Sequence, residues 1–508
     1  MTTNENKPDQ TVAASGEAGS PFRELAMLAL PTVVTMTSYT VMQSVDKLMV
    51  SRLGPDPLYV GAQGNGGLAA FVPISIAMGC LTVVNTYVSQ HLGAGSSKKA
   101  PAYAWNGLWI ALAWWLVLIP YGLMMPAMFG AFWGGAGSDE ADVARRVAMS
   151  CAYGQPLVFG AILTMAARCL AQFFYGMHKP YVVLTASLSG NVVNFFANSV
   201  LIYGPEPLVT GTWLDPFYAA CASVAQALGV ARMGVSGAAY GTLLGTCVEL
   251  VLPAVVFLSA KYNKEFGTRG TWRPSKERIK ELLKLGWPGG AMFGNEMVCW
   301  AMFMVVFVGS FGADHSTAGW IAHQWMSLSF MPAVGISVAM TAMVGKCMGM
   351  GRPDLAVRRA WAGVFIALAY MGTMGVLFVV FRKQMVGLFI DDATDAATTA
   401  RLLALGGGFM IATACFQLFD AVAMTLSGAL RGAGDTMWPA IVTLVLSWTI
   451  IVLGGYAMIK LAPSLESLGP WIAAAAYICI LSLAILARFM SGKWKSIKLV
   501  EKSDGMHA

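Results

Sequence analysis

Charged side chains are scarce in this chain. Asp, Glu, Lys and Arg together make up 12% of the 508 residues, whereas a soluble domain carries roughly a quarter. So few charges cannot cover a water-exposed surface, which excludes a soluble globular protein. Apolar stretches long enough to cross a bilayer as helices recur between residues 25 and 489. The composition therefore predicts an all-α polytopic membrane protein.

The usual signals for disulfides, metal centres and catalysis are also missing. The nine cysteines occur singly and never as CxxC, which argues against a disulfide framework and a zinc site. The five histidines form no HExxH motif, and no GxSxG motif occurs, which disfavours an intramembrane enzyme. We therefore expect no enzymatic activity, no cofactor and no nucleic-acid partner. The polar first twenty residues lack the features of a signal peptide, so we expect a disordered tail.

Charge clusters and Gly/Pro punctuation divide the apolar sequence into twelve candidate spans. They lie near 25–50, 64–90, 103–126, 147–174, 181–203, 234–260, 286–312, 318–346, 360–381, 402–430, 437–459 and 469–490. Lys and Arg concentrate in the connection 261–284 and in the tail after the last span, whereas the connections 136–142 and 205–233 carry few bases. Basic connections stay in the cytoplasm. We therefore predict a protein of the cell inner membrane with both termini cytoplasmic.

An internal repeat divides the chain into halves. Residues 91–113 align without gaps on residues 347–369, at an offset of 256, with ten identities in 23 positions. Each half then holds six spans, so we expect two six-helix lobes related by a pseudo-two-fold axis along the membrane normal, with a binding site between them near mid-depth. The predicted division is a disordered cytoplasmic tail 1–22, an N-terminal lobe 23–260, a basic cytoplasmic linker 261–284, a C-terminal lobe 285–491 and a cytoplasmic tail 492–508.

Three acidic residues fall inside the predicted spans: Asp46, Glu296 and Asp420. An ionisable group at the bilayer centre costs about 2.5–3.5 kcal/mol on insertion scales, so each of them needs a reason. We place no Lys or Arg well inside a span, and therefore expect no base to neutralise Glu296. An acid that a neighbouring helix satisfies through a Ser, Trp or backbone partner is the structural alternative.

Aromatic and amide side chains share the helix faces of two of these acids. Trp300 and Phe303 follow Glu296 by four and seven residues, and Phe416 and Gln417 precede Asp420 by four and three. An acid flanked by aromatic rings can hold an organic cation through charge and cation–π attraction, or a proton or metal ion in its place. We therefore predict substrate contacts by the aromatic residues, and cation binding by the acids with help from Gln417.

Two polar stripes occupy the N-terminal half. The stripe on the first span consists of Tyr39, Gln43 and Asp46. The stripe on the fifth span consists of Ser187, Asn191, Asn194 and Asn198. The asparagines either join two helices by hydrogen bonds or line a hydrated cavity shared with the first span. Asp46 lies near Lys47 and Arg52, so an ordinary interfacial acid is an alternative to a coupling residue.

Several motifs resemble the multidrug and toxic compound extrusion (MATE) family, in its NorM-like branch, over about residues 25–488. The matching segments are VDKLMVSRLG (45–54), QHLGAG (90–95), GMHKPYVVLTASLSGNVVNFFANSVLIYG (176–204), MGVSGAAYGTLLG (233–245), GWPGGAMFGNE (286–296) and FQLFDAVAMTLSGALRGAGDT (416–436).

The resemblance implies that Glu296 and Asp420 bind the coupling cation, and that Asp46, Asn194 and Asn198 contribute to ion-linked switching. Two positions depart from the family pattern. Phe416 stands where a Tyr is frequent in the family. The missing hydroxyl ligand makes Na⁺ a weaker candidate for the coupling ion. Asn198 stands where many relatives have Asp, which removes one proton-binding candidate.

The resulting hypothesis is a monomeric antiporter in the lipid bilayer that exports amphipathic organic cations or drugs in exchange for Na⁺ or H⁺, with Na⁺ at Glu296 and Asp420 as the metal option. A lipid-linked oligosaccharide flippase of the same superfamily is the alternative. Such a flippase would need several Arg or Lys in its cavity, and we expect none there. A channel is less consistent with duplicated lobes and buried acids.

Overall fold

The computed structural model describes residues 21–54, 58–134, 139–390 and 395–500, and within these ranges the chain forms helices and no strands. Most of the predicted N-terminal tail, part of the acidic 136–142 connection and the last eight residues lie outside the described residues. Twelve long helical stretches follow one another, and we number them α1 to α12. They are Phe22–Ser51, Leu58–Gly93, Ser97–Trp133, the pair Glu140–Phe159 and Ala161–Gly176, Pro180–Tyr203, Val235–Phe257, Lys276–Phe311, Ala313–Gly349, Pro353–Val380, Ala396–Ala433, Met437–Leu461 and Leu468–Met490.

The number of stretches equals the predicted number of spans. Among the described residues, ten are single helices long and apolar enough to cross a membrane, and the two halves of α4 pass the same test together with a bend of 48° between them. The twelfth, α5, has 24 residues, and its lower hydropathy follows from the three asparagines of its polar stripe. Large apolar side chains such as Leu123, Val192 and Leu453 are exposed on the outside, as a lipid-facing surface requires.

The helix starts reproduce the sequence repeat. Helix α3 starts at Ser97 and α9 at Pro353, which is the offset of 256 seen in the sequence. Helices α4 and α10 start at Glu140 and Ala396 with the same offset. The first, second and fifth pairs of helices start 254, 255 and 257 positions apart. Helices α6 and α12 are only 233 apart, because the connection between α5 and α6 holds an extra helix, Asp215–Ala227.

The connection between the halves is partly helical. It contains a short helix, Ala260–Phe266, and α7 already begins at Lys276. Residues 276–284 of the predicted linker are therefore the first turns of α7. We call the end of the bundle that carries this connection the linker face, and the opposite end, with the 205–233 connection, the distal face.

Glycines bring the two lobes into backbone contact. A Cβ atom at Gly79 of α2 would lie 2.5 Å from the carbonyl oxygen of Gly289 in α7, and one at Gly349 of α8 would overlap the carbonyl oxygen of Gln90 in α2. Near the linker face, Gln90 Nε2 also donates to the carbonyl oxygen of Gly432 in α10 at 3.0 Å. Close helix approach through small residues is the usual way in which membrane helices pack.

Candidate functional site

Two acidic side chains of the C-terminal lobe influence each other electrostatically. Helix α7 carries Glu296 and α10 carries Asp420, and their carboxyl groups are close enough to interact electrostatically. Both side chains are half-buried. Within the described part of the chain, neither carboxyl group accepts a hydrogen bond. An ionised group without a donor is costly in a membrane interior, so this pair is suited to bind a proton or a cation.

A base does act on one of these acids, contrary to the expectation from the sequence. Arg431, eleven residues after Asp420 on α10, attracts Glu296 electrostatically. The expectation was wrong because the predicted tenth span ends at residue 430, whereas α10 continues to Ala433 and includes Arg431. Eleven residues of helix, about 17 Å, separate Arg431 from Asp420, so the guanidinium compensates Glu296, and the negative charge of an ionised Asp420 remains for a cation.

Two further oxygen atoms lie near the acids without partners. Gln417 Nε2 donates to Ser329 Oγ at 2.9 Å, which leaves its Oε1 buried and without a hydrogen bond in the described structure. The hydroxyl of Tyr477 on α12 is also buried without a partner in the described structure, and both carboxyl groups act on it electrostatically. Sequence reasoning missed Tyr477, whose only signal was a single polar atom in an apolar helix. Its phenol group supplies a hydroxyl in the lobe where Phe416 lacks one.

The predicted aromatic contacts divide into buried and partly exposed rings. Phe303 and Phe416 belong to the packed core of the C-terminal lobe and are 0% and 1% exposed. Phe303 packs edge-on against Trp471 with ring centroids 5.2 Å apart. Trp300 is half-buried and lies 5.4 Å from Phe303, centroid to centroid. In this conformation, therefore, only Trp300 of the three has surface to offer a ligand.

Both helices beside Glu296 are locally underwound. Residues Met302–Val308 of α7 and Ser447–Gly454 of α11 are π-helical, a geometry that occurs frequently at functional sites. Asn295, the neighbour of Glu296, connects them: its Nδ2 donates to Ser447 Oγ at 2.8 Å, and its Oδ1 accepts from Trp448 Nε1 at 2.8 Å. Asn295 thereby ties α7 to α11 next to the acid.

In the N-terminal lobe, the first and fifth spans meet at Asp46. Asn198 Nδ2 donates to Asp46 Oδ1 at 2.6 Å and also approaches Asn194 Oδ1 at 3.3 Å. Asn194 Nδ2 in turn approaches Thr242 Oγ1 of α6 at 3.5 Å. Asp46 is 6% exposed and Asn198 is fully buried. This chain of amides satisfies a buried acid that three helices, α1, α5 and α6, enclose.

A second polar cluster lies closer to the linker face. The Tyr39 hydroxyl donates to Glu249 Oε2 at 3.3 Å, and the Arg168 guanidinium lies over the Tyr39 ring with Cζ 3.9 Å from its centroid. Asn191 Nδ2 donates to the Ser38 carbonyl oxygen at 3.3 Å and so joins α5 to α1. Gln43 is exposed. The predicted stripe of the first span therefore serves two separate clusters, one at Asp46 and one at Tyr39.

Arg168 and Glu249 correct the sequence analysis. They lie inside α4 and α6, so the spans contain more than three acids and do contain an arginine. Each is a lone charge in an apolar run, TMAARCLAQ and LGTCVELVL. The same signal that identified Glu296 was present at both positions. Tyr39 separates the two charges, contacting Arg168 through its ring and Glu249 through its hydroxyl.

The described residues contain no group of three or more His, Cys, Asp or Glu with the geometry of a metal site. Any ion at Glu296 and Asp420 would therefore need neutral oxygen donors in addition to the carboxylates. Gln417 Oε1 and the Tyr477 hydroxyl are the unpartnered candidates, and such hard oxygen ligands suit an alkali or alkaline-earth cation better than a soft metal.

Comparison with known proteins is informative over most of the chain. The MatE family model matches residues 31–200 and 294–456. A protein named probable multidrug resistance protein NorM from Mesorhizobium japonicum is 26% identical over 478 residues, which cover 92% of this chain and 93% of that protein. Its namesake from Thermotoga maritima is 27% identical over 433 residues, covering 84% and 82%.

Solved structures share the architecture. The crystal structure of MATE in complex with MaL6 superposes with a TM-score of 0.78 at 18% identity, over 94% of this chain and 98% of that one. At this identity the likeness concerns the fold alone. This structural match confirms the predicted fold class, twelve helices in two lobes. The sequence matches confirm the predicted family resemblance.

Proposed function

Because the chain belongs to the MatE family of membrane transporters, we propose that it is a secondary active multidrug efflux antiporter. Its substrates are amphipathic organic cations, and the exchanged ion is Na⁺ or H⁺. The relatives named NorM are multidrug resistance proteins by name, which supports efflux as the activity. The observation that carries the ion coupling is the pair of carboxyl groups on α7 and α10, which accept no hydrogen bond from the described residues.

Competition at the acid pair supplies the coupling. A ligand shifts a conformational equilibrium only by its difference in affinity between the two states. To reverse a 1:99 population, that difference must reach about 10⁴-fold, or roughly 5.5 kcal/mol. Binding of an ion to Glu296 and Asp420 neutralises the charge that would attract a cationic substrate. The Gln417 amide oxygen and the Tyr477 hydroxyl complete the ion's surroundings in this proposal.

The Asp46 cluster is the corresponding polar centre of the N-terminal lobe. A change in its protonation would alter the 2.6 Å bond from Asn198, and with it the contact between α1 and α5. Helix α1 contains Pro31, and a proline is a common point of bending in a helix. We therefore assign Asp46 a part in moving α1 during transport.

We place the protein in the inner membrane of a bacterial cell with its linker face in the cytoplasm. The family relatives named above are bacterial, and the linker-face connections carry most of the Lys and Arg, in line with the positive-inside rule. The distal face, with Asp139, Glu140 and Asp142 at the start of α4, then lies outside.

Arg168 bears on the flippase alternative, because the argument against a flippase rested on expecting no base inside the spans. A site for pyrophosphate would need several uncompensated cations. Arg168 is a single cation that shares Tyr39 with Glu249, so its charge has a counter-charge within the same cluster. The antiporter therefore stays the better supported function.

The test is efflux of a fluorescent organic cation from proteoliposomes. Glu296→Gln and Asp420→Asn each remove one carboxylate of the pair, and we expect both variants to be inserted and folded but inactive. Glu206→Gln and Asp142→Asn make the same chemical changes at exposed distal-face positions, and we expect wild-type rates from them. Wild-type transport by Glu296→Gln or Asp420→Asn would show that the residue has no coupling role.

A second measurement identifies the ion. Efflux is recorded under an imposed Na⁺ gradient at equal pH, and separately under an imposed pH gradient without Na⁺. We expect one of the two gradients to drive efflux in the wild type, and neither to drive it in the acid-pair variants. A wild type that responds to neither gradient would refute the antiporter proposal.

A further inference from the structure

The first turns of α7 carry two parallel stripes on one surface. Lysines recur every four residues beside a row of apolar side chains with the same spacing. The lysine stripe consists of Lys276, Lys280 and Lys284, and the apolar stripe of Ile279, Leu283 and Trp287. Together these six side chains line a shallow open groove of about 490 Å³. None of them belongs to the transport site described above.

The lysine stripe has no counter-charge within the described structure. All three lysines are exposed, and none forms an ion pair with an acid of the described residues. Of the two acids in the same turns, Glu281 accepts a hydrogen bond from the Tyr103 hydroxyl at 2.8 Å, which engages its carboxylate with α3. Glu277 is also not paired with a lysine. The groove therefore presents three positive charges in a row.

The apolar stripe is equally uncovered. Leu283 is 43% and Trp287 52% exposed, at the point where α7 leaves the polar connection and enters the apolar part of the chain. Tryptophan is enriched at this depth of a bilayer, where its ring meets the headgroup region. Trp272, 49% exposed on the preceding connection, lies near the same end of the bundle, and its carbonyl oxygen accepts from Trp109 Nε1 at 2.8 Å. Two exposed tryptophans thus lie at the end of the bundle where α7 enters the apolar part of the chain.

We propose that this groove binds an anionic phospholipid. The lysine stripe holds the phosphate of the headgroup, and the first carbons of an acyl chain pack on the apolar stripe. Charge complementarity selects an anionic over a zwitterionic headgroup, since each Lys near an anionic lipid surface contributes about 1 kcal/mol, or roughly fivefold in affinity. The adjoining apolar side chains select a lipid over a soluble phosphate. The site does not depend on the proposed transport activity.

The test is native mass spectrometry of the full-length protein incubated with phosphatidylglycerol or phosphatidylcholine. The variant K276Q/K280Q/K284Q should bind phosphatidylglycerol about 100-fold more weakly than the wild type, from three contributions of about fivefold each. The variant K493Q/K495Q/K498Q removes the same charge from another part of the linker face, and should bind like the wild type. The variant K276R/K280R/K284R keeps the charges and should also bind like the wild type, which separates lost charge from lost folding.

Three results would overturn the proposal. One is equal binding of phosphatidylglycerol by K276Q/K280Q/K284Q and K493Q/K495Q/K498Q. Another is wild-type binding of phosphatidylcholine as tight as that of phosphatidylglycerol, which would make the groove a general apolar surface. The third is binding of glycerol 3-phosphate as tight as that of phosphatidylglycerol, which would make it a soluble phosphate site.

Discussion

Gly79 offers a quantitative test of how the lobes meet. A Cβ atom there would lie 2.5 Å from the carbonyl oxygen of Gly289 and 2.9 Å from the Cα atom of Gly290. Carbon–oxygen contacts between neighbouring backbones are normally about 3.3 Å or longer. Gly79→Ala therefore creates an overlap of roughly 0.8 Å with backbone atoms, which cannot rotate away as a side chain would. Helices α2 and α7 must separate to accommodate it.

The added methyl group sets the size of the change. Inserting a methyl group into a closely packed contact costs about 1–3 kcal/mol. The higher helix propensity of Ala does not offset this cost, because α2 is helical whether or not it contacts α7. The contact between α2 and α7 should therefore weaken by about 1–3 kcal/mol, which corresponds to roughly a 5- to 150-fold increase in the population with the two helices apart.

Hydrogen–deuterium exchange measures that population at the contact. In Gly79→Ala, we expect faster amide exchange than in the wild type in peptides covering 76–90 and 286–294. Gly64→Ala is the matched control, because it lies in the same helix and its Cβ would meet nothing within 4 Å. We expect no acceleration from it. If Gly79→Ala exchanges no faster than Gly64→Ala, the two backbones do not touch as described, and the reasoning is refuted.

Three further predictions concern single polar contacts. Arg359→Gln removes two hydrogen bonds to Glu24 Oε2, at 2.6 and 2.9 Å, which join the lobes. We expect the free energy of unfolding to fall by about 2–3 kcal/mol, measured as a lower melting temperature. An unchanged melting temperature would contradict this. Asn198→Ala leaves the buried Asp46 Oδ1 without its hydrogen-bond donor. The free energy of unfolding should fall by about 1–3 kcal/mol in the same assay. A change within error of zero would show that this hydrogen bond does not stabilise the protein. Hydrogen bonds from Thr210 lower the pKa of Asp215, so the turn that they form is stabilised at neutral pH and loses that stability as the pH falls below about 4. Once exchange is divided by the intrinsic rate at each pH, protection in peptides covering 208–216 should fall with acid in the wild type, and should not change with pH in Asp215→Asn.

Much of the architecture could be predicted because each signal lies within one stretch of chain. Twelve spans follow from apolar length, and the two lobes follow from the repeat between residues 91–113 and 347–369. Where the prediction was imprecise, at residues 276–284, the polar lysines of α7 resembled a linker. They are helical because Leu282 and Leu285 give the segment a buried apolar face opposite its lysines, which its charge count concealed.

The site was predicted less completely. The sequence indicated Glu296, Asp420 and Asp46 as unusual charges, but Arg168 and Glu249 carried the same signal and were overlooked. The aromatic residues show a limit of another kind. Helical spacing predicts Phe303 and Phe416 on the faces of the acids, yet spacing cannot tell a ring that lines a cavity from one that packs in the core. Only the packing of α12, through Trp471, decides that Phe303 is buried.

By itself, the sequence determined the membrane environment, the number of helices, the duplication and the presence of acids where lipid disfavours them, because these depend on composition and on residues close together in the chain. The tertiary structure decided which of these charges meet. Asn198 contacts Asp46 across 152 positions, and Tyr39 contacts Glu249 across 210. Such pairs depend on how helices pack side by side, and no local pattern along one helix records the neighbour that it will face.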